Sequence, residues 1–151
     1  MLRRVLAVGF LLMSASAAWA AEPQTLAVTL KPLPDGQGGI ARLNVEMRLP
    51  SPSIADGEAL LRMPVTLVST PTAAYAAEDI HVRDSQGDLP LRAVDDPATP
   101  EGVYRRYLPQ RAAAGDLVVS YGAAPRAVSA ETRNGPLFDL RAQPGGLMGA
   151  G

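Results

Sequence analysis

Polar and apolar residues alternate most regularly between Ile40 and Leu49. Ile40, Leu43, Val45, Met47 and Leu49 are apolar, and Arg42, Asn44, Glu46 and Arg48 fall between most of them. Successive side chains of a strand point to opposite faces, so this period of two predicts a strand with one buried and one wet face. Pro50-Ser51-Pro52 ends it. Thr25 to Leu30 carries the same pattern in Leu26, Val28 and Leu30 and is its expected partner. The two are joined by Pro32 to Gly39, whose Pro-Asp-Gly and Gly-Gly dipeptides are turn signals. Further short strands are expected at Ala59–Met63, Ile80–Arg83, Leu89–Val94, Val103–Leu108, Leu117–Tyr121 and Leu137–Leu140. Gln86-Gly87-Asp88 reads as a tight turn, while Pro97 to Gly102 and Ala112 to Gly115 punctuate the later strands. Short strands separated by Pro/Gly turns predict an all-β fold, a β-sandwich of antiparallel strands. One helical turn is expected within Ala73 to Glu78.

The first residues change the picture, because they do not belong to that pattern. Arg3 and Arg4 precede an apolar run from Leu6 to Met13, and small residues follow, ending in Ala18-Trp19-Ala20. This is the plan of a cleavable secretory signal peptide. The apolar run falls short of the about 20 residues that a spanning helix needs. Residues 1–20 are therefore expected to be a leader, 21–141 a β-sandwich domain, and 142–151 a glycine-rich connection. Localisation is expected to be periplasmic or secreted, with no membrane association after cleavage.

Charge and composition narrow the partners. The whole chain carries a formal net charge of −1, and losing Arg3 and Arg4 makes the remainder more acidic. Both signs are interspersed, which argues against a nucleic-acid or polybasic membrane-surface role. There is no cysteine, so burial or a neighbouring domain must hold the fold together.

Candidate chemistry is sparse. His81 is the only histidine and alternates with Ile80 and Val82, so it is expected on the solvated face. With only Asp79 and Asp84 nearby, it lacks the ligand set of a zinc site. Asp95, Asp96 and Glu101 have no calcium-loop spacing and read as a solvated loop. Tyr104 and Tyr107 fall on opposite sides of their strand, so they and Tyr121 read as packing residues before they read as a sugar- or peptide-binding face. Gly145, Gly146, Gly149 and Gly151 lack the strand–helix context of a dinucleotide site. They read as a flexible linker or as a loop that another backbone approaches closely.

The run Gly135-Pro136-Leu137-Phe138-Asp139-Leu140-Arg141, followed by Gly145-Gly146-Leu147-Met148-Gly149-Ala150-Gly151, resembles the end of the N-terminal domain of glycyl-aminopeptidase-like zinc metallopeptidases. Leu61-Arg62-Met63-Pro64 resembles an earlier strand of that domain, and Ile80 to Leu91 a hairpin with a D-x-x-G turn. Within Thr66 to Tyr75, the run V-S-T-P-T-A-A-Y departs from the tryptophan- and glycine-containing stretch of the family. The resemblance implies a non-catalytic N-terminal domain that packs on a zinc catalytic domain of the same polypeptide and helps shape its cleft. That domain would begin where this chain stops, and peptide substrate would be met only indirectly. It further implies no catalytic, cofactor or metal residue in this chain, with zinc held by the catalytic domain. Phe138, Arg141, Gly145, Gly146 and Gly149 are the expected interface. No H-E-x-x-H occurs in the sequence. The alternative is a free-standing exported β-sandwich that binds a protein or carbohydrate partner.

Overall fold

Antiparallel strands account for nearly all regular structure in the computed structural model, which describes residues 25–55, 57–68, 70–126, 140–143 and 146–148. Numbered in chain order, β1 (Ala27–Pro34), β2 (Ile40–Leu49), β9 (Leu117–Ala123), β5 (Ile80–Asp84) and β6 (Gly87–Asp88) lie side by side in one sheet. The second sheet runs β4 (Thr70–Pro71), β3 (Leu61–Leu67), β8 (Gly102–Pro109) and β7 (Leu91–Asp95). A small separate ladder pairs β10 (Arg141–Gln143) with β11 (Gly146–Met148). The expectation of an all-β, sandwich-like fold holds.

The core lies between the two larger sheets. Ile80 and Val82 of β5 and Leu117 and Val119 of β9 meet Leu91 of β7 and Tyr107 of β8, with Leu89 between β6 and β7. These are the residues that a period of two sends inward, and their burial is the main source of stability in a domain without disulfides. Tyr107 is buried because its hydroxyl donates to the Tyr75 carbonyl at 2.8 Å, which satisfies its one polar atom. Tyr75 in turn meets Tyr121 edge to face, with ring centroids 5.2 Å apart. Burial, followed by the neighbouring tyrosines and Asp79, pushes the Tyr75 phenol up to about 12.

Strand β1 breaks the sandwich pattern. Val28 pairs with Met47 and Leu30 with Val45, so both point to the inner side of the sheet. Yet Leu26, Val28 and Leu30 are 52%, 51% and 58% exposed. The reason is that β1 lies at the sheet's edge and is held chiefly by β2, while the strand at that edge of the second sheet, β4, is only two residues long. Pro32 and Pro34 sit in β1 because an edge strand can dispense with a proline's missing N–H.

Several elements differ in detail from expectation. The β5–β6 turn is centred on Ser85 and Gln86, with Asp84 opposite Gly87. It therefore comes one residue earlier than the Gln86-Gly87-Asp88 reading. The helical turn is a single 3-10 turn at Ala77–Asp79, where the Asp79 carboxylate accepts from the Ala76 N–H at 2.7 Å. Leu140 lies outside any strand, is buried, and accepts from the Arg126 N–H at 2.8 Å. The rest of the expected Leu137–Leu140 strand lies outside the described residues, as does the leader.

Two backbone positions are exacting. Gly102 closes the β7–β8 connection at φ +140°, and a Cβ there would collide with the Thr66 carbonyl oxygen. Val68, at the β3–β4 tip, is 65% exposed and sits at φ 45°, in the left-handed region that β-branched residues avoid. Val68→Asn is expected to raise stability by about 1 kcal/mol, because asparagine adopts that region more readily. Urea denaturation checks this, and an unchanged or lowered midpoint counts against the strain.

Candidate functional site

The register builds a polar surface on the outer face of the larger sheet. Thr29 lies beside Glu46, Glu46 beside Ser120, and Ser120 beside His81. The next row runs Lys31, Asn44, Gly122. Every one of these residues occupies the outward phase of its strand, opposite to the core residues Val45, Val119 and Val82. The segment Ala73–Asp79, which crosses from β4 to β5, stands at the margin of this surface. Together they enclose a groove of about 760 Å³ whose lining includes Lys31, Arg42, Asn44, Ala73, Ala74, Glu78, Asp79, His81, Ser120 and Gly122.

Gly122 sets the floor. A Cβ at this position would come within 2.5 Å of Arg42 Cδ and 3.1 Å of its Nε. The Arg42 side chain therefore reaches from β2 across β9, over the one residue there that has no side chain.

The electrostatics of the groove differ from those of the rest of the domain. Elsewhere most charges are committed to partners. Arg62 and Arg106 flank Asp96 at 2.9 and 2.6 Å, and Arg105 holds Asp95. Arg62 also lies over the Tyr104 ring, 4.0 Å from its centroid. Arg48 pairs with Glu46 at 2.8 Å, which takes that carboxylate out of play in the groove. By contrast, the side chains of Lys31, Arg42, Glu78 and His81 form no hydrogen bond or ion pair with any described residue. Apart from Arg92, Lys31 and Arg42 are the described cations left in that condition.

The residues singled out in the sequence are distributed as follows. His81 is exposed and faces outward, as expected. Asp84 is not a loose carboxylate beside it. Its side chain is fully buried and held by Arg111, with 2.5 Å and 3.0 Å contacts to the guanidinium and two backbone N–H groups, Gln86 at 2.8 Å and Ala114 at 2.9 Å. The Arg111 guanidinium, aided by those N–H groups and opposed by burial, keeps the carboxyl well below the usual range. Asp95 and Asp96 do not form a simple solvated loop. They point to opposite sides of the sheet end and anchor different arginines, which lower both their carboxyls. Among the described residues, no group of three or more His, Asp or Glu is placed to hold a metal ion. No helix among them is long and apolar enough to cross a membrane.

Of the expected interface residues, Arg141 opens β10 and Gly146 opens β11, where Gly146 pairs with Gln143. Part of the glycine-rich stretch thus forms a two-stranded ladder. An isolated bridge from Arg126 to Arg141 ties it to the chain following β9. Phe138, Gly145 and Gly149 lie outside the described residues.

The groove was not foreseen, because its members come from β1, β2, β9 and the crossing before β5, which only the register brings together. The signal available beforehand was the wet face of Ile40–Leu49, which already placed Arg42 and Asn44 side by side.

Comparison with protein-family models, curated proteins and solved structures returns no match to this chain.

Proposed function

We propose that this chain is the non-catalytic N-terminal β-sandwich of an exported metallopeptidase of the aminopeptidase type, packed against a zinc-bearing catalytic domain whose cleft it helps to shape. The observation that carries the reading is the apolar strip of Leu26, Val28 and Leu30, each about half exposed, with Val28 and Leu30 on the inner side of β1 and Leu26 just before it. A contiguous apolar surface of this kind marks a place where another protein surface belongs. The ordered resemblance from Leu61 to Gly151 supplies the identity of the neighbour. Zinc would be held by the catalytic domain and would polarise a water and a peptide carbonyl there. In this reading, residues of the present chain wall and orient, and none carries the reaction.

The test is the natural product itself. An antibody raised against this chain should recover from its source a polypeptide longer by a whole domain, with peptidase activity that chelators remove. Recovery of a product that ends at Gly151 and shows no zinc-dependent peptidase activity sinks the proposal. A second reading, the free-standing exported sandwich with its own partner, has one observation in its favour, the groove of unpaired charges.

A further inference from the structure

We propose that the open edge of β1 pairs with β1 of a second copy of this chain. The pairing is antiparallel about a two-fold axis at Thr29 and makes the two larger sheets continuous. The inference goes beyond the reading above and does not rest on it. Strand pairing uses the edge of β1, whereas a neighbouring domain would cover its inner face.

The first argument is the direction of the backbone hydrogen bonds. Successive residues of a strand bond to opposite sides, so this direction passes through the register from strand to strand. The Val82 carbonyl accepts from the Leu89 N–H, on the side of β5 away from β9. His81 and Arg83 therefore bond toward β9, where they lie opposite Ser120 and Val118. Val119 and Tyr121 then bond toward β2, at Met47 and Val45. That leaves Asn44, Glu46 and Arg48 to bond β1, at Lys31, Thr29 and Ala27. The N–H and C=O groups of Val28 and Leu30 thus point to the open edge, with no partner among the described residues. Pro32 falls on the same side, where its missing N–H costs the ladder nothing.

Secondly, this edge is complementary to itself. The residues that bond outward, Val28 and Leu30, are also those whose side chains lie on the inner side of the sheet. Any antiparallel pairing of two such edges therefore sets apolar beside apolar. A centre at Thr29 joins Val28 to Leu30 of the second copy, and Leu30 to its Val28, through reciprocal N–H···O bonds. A centre at Leu30 would set the Val28 carbonyl against Pro32, which has no N–H to give. A centre at Val28 would need Leu26, which lies before the strand. With the axis at Thr29, Val28 and Leu30 of both copies form one inner patch and cover side chains now about half exposed. On the outer face Lys31 meets Ala27, and the two lysines stay about 14 Å apart, so no like charges are opposed.

The third argument sets the strength. Pro32 and Pro34 blunt the far half of the edge and confine pairing to the residues around Thr29. So short a contact buries less than the about 800 Å² per partner of a stable complex, which makes the association weak.

The purified full chain should sediment as a monomer–dimer equilibrium with a Kd between about 10 μM and 1 mM. Hydrogen exchange below and above that concentration should slow the Val28 and Leu30 amides only in the concentrated sample. The Ala27, Thr29 and Lys31 amides, bonded to β2, should be slow in both. Thr29→Cys, in a chain with no other cysteine, should oxidise to a linked dimer, because facing Cα atoms at such a position lie about 4.5 Å apart. Lys31→Cys should give a linked dimer at least about tenfold more slowly, its counterpart being too distant to bridge. A chain still monomeric at about 1 mM, or Val28 and Leu30 amides indifferent to concentration, overturns the proposal. Equal linkage by the two cysteine variants overturns it as well. So does protection of those amides in a species that stays monomeric, since another segment would then hold the edge.

Discussion

Replacing Leu117 with alanine should remove about 2–5 kcal/mol of folding stability, read from the urea midpoint at unchanged slope. Leu117 is completely buried at the start of β9, a strand hydrogen-bonded on both sides, by β2 and by β5. It belongs to the cluster that joins the two sheets, and it pairs across the strand with Leu49. Truncation loses the transfer free energy of the removed carbons and leaves a cavity that neighbours hydrogen-bonded on either side cannot close. A domain of this size has about 5–15 kcal/mol in total, and this one has no disulfide to fall back on. Val118→Ala, one residue on and facing out, is the internal control and should cost well under about 1 kcal/mol. Equal losses at 117 and 118 would mean that the assignment of inner and outer faces is wrong.

That same alternation explains how much of the fold was legible in the sequence. Strands β2 and β9 follow from period two, and so do the outward placement of His81 and the split between Tyr104 and Tyr107. Local pattern goes no further, because it says nothing about register. Asp84 and Arg111 are 27 residues apart, and only the packing of the β5–β6 turn against the β8–β9 connection makes them a pair. Arg62 reads as a surface charge until β3 is set beside β8, which brings it to Tyr104 and Asp96. β1 runs on to Pro34 where prolines argued for an end near Leu30, since an edge position removes their penalty. The groove illustrates the same limit. The residue types with strong chemistry are His81, the aspartates and the tyrosines. The groove is made instead by ordinary polar residues whose outward phase was readable but whose neighbours were not. Phe138, Gly145 and Gly149 of the expected interface fall outside the described residues, and the exposed apolar strip that is seen lies at Leu26 to Leu30.

Breaking the Asp84–Arg111 pair should destabilise the domain unequally, depending on which partner is removed. In Arg111→Ala the fully buried Asp84 carboxylate keeps its charge and loses its counter-ion, and a drop of roughly 10 °C in Tm is expected. In Asp84→Asn the orphaned guanidinium is 31% exposed and can hydrate, while the amide oxygen still accepts from a backbone N–H, so the loss is smaller. The pH dependence separates the two further. Arg111 holds the Asp84 carboxyl below its unfolded value, so its contribution is fully present above about pH 4 and is lost as pH falls from there toward the folded-state value. Asp84→Asn should therefore flatten the acid limb of the stability curve. Asp95 and Asp96, lowered by Arg105 and by Arg62 with Arg106, continue to contribute there. Arg111→Ala should instead move the acid limb to higher pH, because burial then acts on Asp84 with only backbone donors to oppose it. Urea midpoints for the three proteins between about pH 2 and 7 decide the matter. If Asp84→Asn proves the more damaging change, or if the acid limb is the same in all three, the arginine is not what keeps this carboxylate ionised.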